Sequence, residues 1–317
     1  MSVVLPSKAT EPTFYFIGVT TTKSSIMKVF PRWAKEALGL EDAVIKGIDI
    51  EIHADPQDYI DVVNFIKNDE LSLGALVTTH KLDLYEATED LFEYLDPHAV
   101  KFRELSCISK KDGELRGHAK DPISSGLTME NFIPADFWKE NKGEVFIMGA
   151  GGSALAISSH LTREKFGDDI PSKIVIANRS QPRLDAAKEK LEGINDNVKF
   201  EYLLGPKPED NDRFLSEIKP YSLIINATGL GKDRPGSPLT DNVEFPENSL
   251  VWELNYRGNL IFMDQATEQQ EDKKLTIEDG WIYFIHGWTQ VIAEVFHIDI
   301  TEEKLKHCEK IAFEMRK

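Results

Sequence analysis

Apolar positions come in short runs separated by longer stretches with helical spacing. In the first part of the chain, strand-like runs fall at 14–18, 46–52 and 74–78. Between and after them, apolar residues recur at helical intervals over 24–38, 56–67 and 81–87. Runs at 107–109 and 114–117 flank Lys111-Asp-Gly113, and Asp-Gly is a strong hairpin signal. A helix beginning near residue 124 leads into a second series of strands, at 144–148, 173–177, 198–203, 222–226 and 249–254. Helical segments alternate with these strands, which predicts a mainly parallel sheet covered by helices on both faces. The tail from 287 to 316 is helical again, with Val291, Val295, Leu305, Ile311 and Phe313 on its apolar positions. The expected fold is α/β with two domains. An N-terminal α/β domain over 1–123 is completed by helices 287–317, and a doubly wound parallel-sheet domain spans 124–286.

The first strand of the second series runs into glycine: Glu144-Val-Phe-Ile-Met-Gly149-Ala150-Gly151-Gly152-Ser153-Ala154. Ile157, Leu161 and Phe166 then follow at helical spacing. A strand, a tight glycine turn and a helix start make a phosphate site, because bare N–H groups and the positive end of the helix dipole both face the anion. A β-carbon there would hold a pyrophosphate off the backbone. The pattern is Gly-x-Gly-Gly-x-x-x-Ala, so a plain strand-to-helix turn remains an alternative. The next strand ends in Asn178-Arg179-Ser180, where an NAD site of this class usually carries Asp or Glu for the ribose 2′-hydroxyl. An amide, a guanidinium and a hydroxyl suit a 2′-phosphate instead, so the expected cofactor is NADP(H). Two later strands end in polar residues: Asn226-Ala227-Thr228-Gly229, and Glu253-Leu-Asn255-Tyr256. Both would stand at the carboxyl edge of the sheet, where ligands bind in doubly wound folds.

Composition narrows the class of partner. The chain has 317 residues, 41% hydrophobic and 29% charged, with a net charge of −17. That charge argues against nucleic acid or an anionic membrane. No run of 18 apolar residues occurs, and the N-terminus lacks the basic and apolar regions of a signal peptide. Cys107 and Cys308 make neither a disulfide framework nor a zinc site, so a reducing cytosol is expected. No metal is expected. The partner is a small molecule, and the chain is expected to be a monomer or homodimer.

The order of motifs resembles the shikimate dehydrogenase family over nearly the whole chain. Gly149-Ala-Gly-Gly152, Asn178-Arg-Ser180 and Ile225-Asn-Ala-Thr-Gly-Leu-Gly231 are similar to its glycine loop, NADP-selecting loop and post-strand loop. Glu253-x-x-Tyr256 resembles its Asp-x-x-Tyr element with the acid lengthened. His80-Lys81 matches the end of Val-Thr-x-Pro-x-Lys, and Gly117-His-Ala-Lys-Asp121 matches Gly-x-Asn-Thr-Asp. The resemblance implies a catalytic pair, Lys81 and Asp121, beside the hydroxyl being oxidised. A lysine whose pKa burial depresses can exchange that proton while hydride leaves carbon. It also implies substrate contacts from Ser24, Thr22, Thr78, Ser106, Tyr256 and Gln290, and domains that close on a cleft.

Several family positions are exchanged here. Ile26 stands at the second serine of Ser-x-Ser, Val77 at the motif threonine with Thr78 beside it, Ser106-Cys107 at Asn-Thr, and Ala119-Lys120 at another Asn-Thr. These exchanges remove hydrogen-bond partners for a polyhydroxy ring. Lys23, Lys120 and His118 would favour a more acidic or differently substituted ring. The implied activity is reversible hydride transfer between NADP(H) and a secondary alcohol or ketone on a small carboxylated ring. Shikimate is the family default, and quinate or another cyclitol acid is the alternative substrate. A non-catalytic NADP-binding sensor is the alternative from another class.

Overall fold

The first strand of the chain is buried along its whole length. In β1 (Thr13–Gly18), Tyr15 and Ile17 join an apolar cluster with Val62, Val63, Ile66 and Leu84. Phe14 and Phe16 point the other way, edge-on to Trp288 at 6.0 and 5.0 Å between ring centroids. The alternation is the two-residue period of a strand covered on both faces. The computed structural model describes residues 3–232 and 234–316. Their contacts cluster into two compact units, 1–121 with 287–317 and 122–286.

The first unit is built on a six-stranded sheet. After β1 come β2 (Val44–Asp49), β3 (Ser72–Val77), β4 (Tyr94–Leu95), β5 (Cys107–Lys111) and β6 (Glu114–His118), in the order β2-β1-β3-β5-β6-β4. β1 runs parallel to β2 and β3, while β5 is antiparallel to both β3 and β6. β1, β3 and β6 therefore share one direction, and their carboxyl ends lie on one edge. The C-terminal helix Glu302–Glu314 belongs to this unit: Trp33 donates its indole N–H to the Cys308 carbonyl at 2.8 Å.

The second unit contains β7 (Glu144–Met148), β8 (Lys173–Asn178), β9 (Lys199–Leu204), β10 (Leu223–Asn226), β11 (Leu250–Glu253) and β12 (Thr276–Glu278). All pair in parallel, in the order β12-β11-β10-β7-β8-β9. Counted from β7, that is the 3-2-1-4-5-6 order of a doubly wound dinucleotide-binding sheet, whose order reverses between β7 and β10. The expected α/β class and parallel sheet are thus present. The short edge strands β4 and β12 were not anticipated, because two or three residues carry too little pattern to be read without their partners. The helix Gly280–Phe296 starts seven residues before the expected 287.

Two buried histidines tie the second unit to pH. Burial pushes His160 and His286 down to about 4, although Glu130 partly opposes the shift at His160. Folded values below the ordinary 6.5 mean that the unfolded chain takes up protons first as pH falls. Their contribution is complete above about 6.5 and is lost between there and about 4. We expect stability to fall over that window by up to about 3 kcal/mol per histidine, and the thermal midpoint to fall with it. His160→Gln and His286→Gln, followed by thermal melts at several pH values, should each flatten that slope.

Candidate functional site

The edge shared by β1, β3 and β6 gathers most of the residues singled out in the first unit. After β1, a tight turn at Thr21–Lys23 carries Thr22 and Lys23, both exposed, and then the buried Ser24. Thr21 anchors this turn: its N–H and hydroxyl both donate to the Asp49 carboxylate, at 2.8 and 2.6 Å. Ile26, at the place of the second serine, is fully buried and begins the helix Ile26–Arg32. It is a packing residue and offers a ligand nothing polar.

After β3 the chain passes Thr78, Thr79 and His80 and enters the helix Lys81–Thr88. Thr78 is half-buried, and its hydroxyl would lie 3.1 Å from a β-carbon placed on Gly18. Thr79 has φ +59°. A proline, whose ring holds φ near −65°, cannot take that conformation, so this turn differs from one built on Thr-x-Pro.

Lys81 donates a hydrogen bond from Nζ to Asp121 Oδ2, at the end of the segment that follows β6. A lysine in the first turn of a helix sits at the wrong end of the dipole, so the side-chain partners must hold its charge. Burial pulls the ammonium pKa down, but Asp121 and then Glu104 outweigh it and hold it above the ordinary lysine value. This reverses the expected depression. Glu104, only 1% exposed, had not been singled out. Its signal was an acid standing directly before the apolar Leu105, too weak to separate from a solvated turn. The Leu105 N–H donates to the Lys81 carbonyl at 3.0 Å, which fixes that segment beside the lysine.

Of the three basic residues considered for an acidic ring, Lys23 is exposed, while Lys120 and His118 are already faced by carboxylates. Lys120 Nζ lies 2.6 Å from Glu294 Oε2. His118 faces Glu294 at 3.4 Å and Asp96 at 3.6 Å, and Ser109 lies 3.0 Å from its Nε2. Glu294 stands one helical turn beyond the half-buried Gln290. Ser106 is buried. Its hydroxyl accepts the Lys120 N–H at 2.7 Å and donates to the His118 carbonyl at 3.4 Å.

In the second unit, Gly149 follows β7 at the reversal of strand order. Its φ is +117°, and a β-carbon there would sit 2.5 Å from the Ala227 carbonyl oxygen. The backbones after β7 and β10 thus approach as only glycine permits. Ala150 is buried. Gly151 precedes the helix Gly152–Leu161, which has no side-chain cap, and a β-carbon on Gly151 would meet nothing within 4 Å. That combination leaves first-turn N–H groups facing open space, as an anion site needs. Ser153 is half-buried and Ala154 is fully buried under the helix.

At the end of β8, Asn178 Oδ1 accepts the Ser180 N–H at 3.0 Å, and Arg179 is exposed. After β10, Asn226 is fully buried, followed by the half-buried Ala227, the exposed Thr228 and Gly229 at φ +74°. Tyr256 packs on Phe284 and Trp281 with ring centroids at 4.7 and 5.3 Å. These residues fit a dinucleotide: a glycine cradle for pyrophosphate and a guanidinium at the following strand end for a 2′-phosphate.

No protein-family model matches the chain. The shikimate dehydrogenase (NADP(+)) of Streptococcus thermophilus is 29% identical over 163 residues, which is 51% of this chain and 53% of that protein. The chain spans about half the length of the curated relatives it matches. Among solved structures, shikimate dehydrogenase from Aquifex aeolicus gives a TM-score of 0.70 at 16% identity, covering 95% of this chain and 98% of that one. Quinate dehydrogenase from Corynebacterium glutamicum, solved in complex with NAD, gives 0.70 at 16% identity, covering 96% and 99%. At these identities the structural likeness shows a shared fold.

Proposed function

We propose that this chain, a divergent relative of the shikimate dehydrogenase family, is an NADP(H)-dependent oxidoreductase that interconverts a secondary alcohol and a ketone on a small carboxylated ring. The observation that carries the reading is the bond from Lys81 to Asp121 on the edge where the loops after β1, β3 and β6 converge. When bound, NADP(H) supplies the hydride acceptor or donor. What remains for the protein is the hydroxyl proton. In the reduction direction Lys81, held as an ammonium, gives its proton to the oxygen as carbon gains hydride. In oxidation the neutral amine takes that proton back. Asp121 orients the lysine and accepts from the substrate hydroxyl.

Thr22, Ser24 and Thr78 supply hydroxyls for the ring and its carboxylate, Gln290 a side-chain amide, and Tyr256 a phenol. Ser106 contributes by holding the Lys120 backbone in place, since its hydroxyl is already engaged. With the asparagine positions replaced and Lys120 neutralised by Glu294, the substrate carries fewer ring hydroxyls in contact with protein than shikimate would need. Quinate and related cyclitol acids follow shikimate as candidates. We place the enzyme in the cytosol. Among the described residues no helix is long and apolar enough to cross a membrane.

The test is a screen of shikimate, quinate and related hydroxy acids for NADP+ reduction by the purified chain. Turnover on any of them supports the reading. Tight NADP+ binding without turnover on the whole set overturns it in favour of a sensor. Cofactor choice has its own check. Arg179→Ala is expected to weaken NADP+ binding by about 10–100-fold, the worth of a charge-assisted bond to phosphate, and to leave NAD+ binding nearly unchanged. Equal effects on both cofactors in a fluorescence titration would remove Arg179 from the 2′-phosphate.

A further inference from the structure

Asn226 and Glu253 are paired across neighbouring strands, at the carboxyl ends of β10 and β11, and both are fully buried. Glu253 Oε2 accepts from Asn226 Nδ2 at 2.7 Å. Its Oε1 accepts from the Asn255 backbone N–H at 2.8 Å and from Asn255 Nδ2 at 2.7 Å. Asn226 Nδ2 donates to the carboxylate and also to the Leu230 carbonyl at 3.4 Å, so its Oδ1 faces the other way. There it accepts the Thr228 N–H at 3.1 Å and the Thr228 hydroxyl at 2.7 Å. Thr228 Oγ1 in turn accepts the Leu230 N–H at 3.1 Å, and Asn255 Nδ2 donates to the Leu230 carbonyl at 3.1 Å. The side-chain bonds that shape residues 228–230 trace back to one carboxylate that can only accept, while the Ala227 N–H is held separately by the Met148 carbonyl at 2.8 Å.

We propose that Glu253 is the positioning residue of the cofactor cradle, its ionised carboxylate setting the orientation of the Asn226 amide and thereby the conformation of the loop 227–230 against the dinucleotide. The inference rests on the cofactor reading above for what the loop holds, and on the hydrogen-bond directions for how it is held. A protonated Glu253 would present an O–H to a ring of N–H donors. Either that bond is lost or Asn226 turns over, and turning over faces its NH2 toward the Thr228 donors. Burial pushes Glu253 up to about 7, against the bonds from Asn255 and Asn226 and the nearby charge of Lys232. Loop order is therefore tied to pH near neutrality.

The sign separates this role from a merely structural one. A carboxyl raised above its ordinary value of 4.5 binds its proton more readily folded than unfolded. Removing its charge should leave the fold as stable or more so while the loop loosens. Glu253→Gln is expected to keep or raise the thermal midpoint, to speed amide exchange at Thr228 and Leu230 about tenfold, and to weaken NADP+ binding about tenfold, with Glu253→Asp restoring part of each. Unchanged exchange at those amides, or a lower midpoint with exchange faster across the whole unit, would overturn the proposal.

Should the glutamine variant not fold, the wild-type chain carries the test. Protection at Thr228 and Leu230, corrected for the intrinsic rate, should fall with a midpoint near pH 7 as the solution is acidified, and flat protection overturns the proposal. Exchange is read on the ligand-free chain. Failure to bind NADP+ would therefore sink the cofactor reading without deciding the loop result.

Discussion

Replacing Lys81 with alanine is expected to lower kcat by about 10³-fold, measured as NADPH formation with the best substrate found. General acid–base groups contribute about 10²–10⁴-fold, and Lys81 is the proton-carrying member of the proposed pair with Asp121. The neighbouring charges add a second signature. Burial lowers the Lys81 pKa, yet Asp121 and Glu104 hold it above the ordinary lysine value. The ammonium is therefore loaded through neutral pH, so ketone reduction should be flat there and alcohol oxidation should rise with pH. Asp121→Asn removes the larger of the two opposing charges. Burial then weighs more, the ammonium gives up its proton at lower pH, and the oxidation profile should move toward acid even as kcat falls. A profile that stays in place, or full turnover in both variants, would mean that this pair does not carry the proton.

Gly149→Ala and Gly151→Ala should fail in different ways, and the contrast tests the cradle. At Gly149 a β-carbon meets the Ala227 carbonyl oxygen at 2.5 Å with φ at +117°. Backbone strain and overpacking together should cost about 2–5 kcal/mol, or on the order of 10 °C in the midpoint of the second unit. At Gly151 φ is −99° and a β-carbon meets no protein atom within 4 Å. That variant should fold normally and still lose about 100-fold or more in cofactor affinity, because the methyl group stands where the pyrophosphate would approach the backbone. Calorimetry with and without NADP+ separates the two. Undiminished binding by Gly151→Ala would place the dinucleotide elsewhere.

The α/β class and the parallel sheet of the second unit were legible because its strands are short apolar runs with helix-spaced segments between most of them, although among the described residues no helix lies between β10 and β11. The glycine turn after β7 was legible for the same reason, since a strand, three glycines in four residues and an apolar helix leave one local geometry. Short edge strands were not legible. β12 has three residues, and its strand character comes from pairing with β11, which the local pattern does not contain. Among candidate residues, Lys81 and Asp121 were found through motif order alone, 40 positions apart, and their bond came only with the fold.

The charges near that pair were decided wholly by tertiary structure. Lys120 and His118 read as spare cations until Glu294, 174 residues from Lys120 in sequence, stood against both. The lysine pKa expected to fall is held up because Glu104 and Asp121 arrive from other segments. By itself the sequence determined what depends on neighbours within a few residues: strand and helix periods, the turns that need glycine, and the glycine turn between a strand and its helix. Only the tertiary structure decided which buried charges face one another. Coulomb and desolvation energies depend on distance and on exclusion of water, and neither is encoded in local spacing.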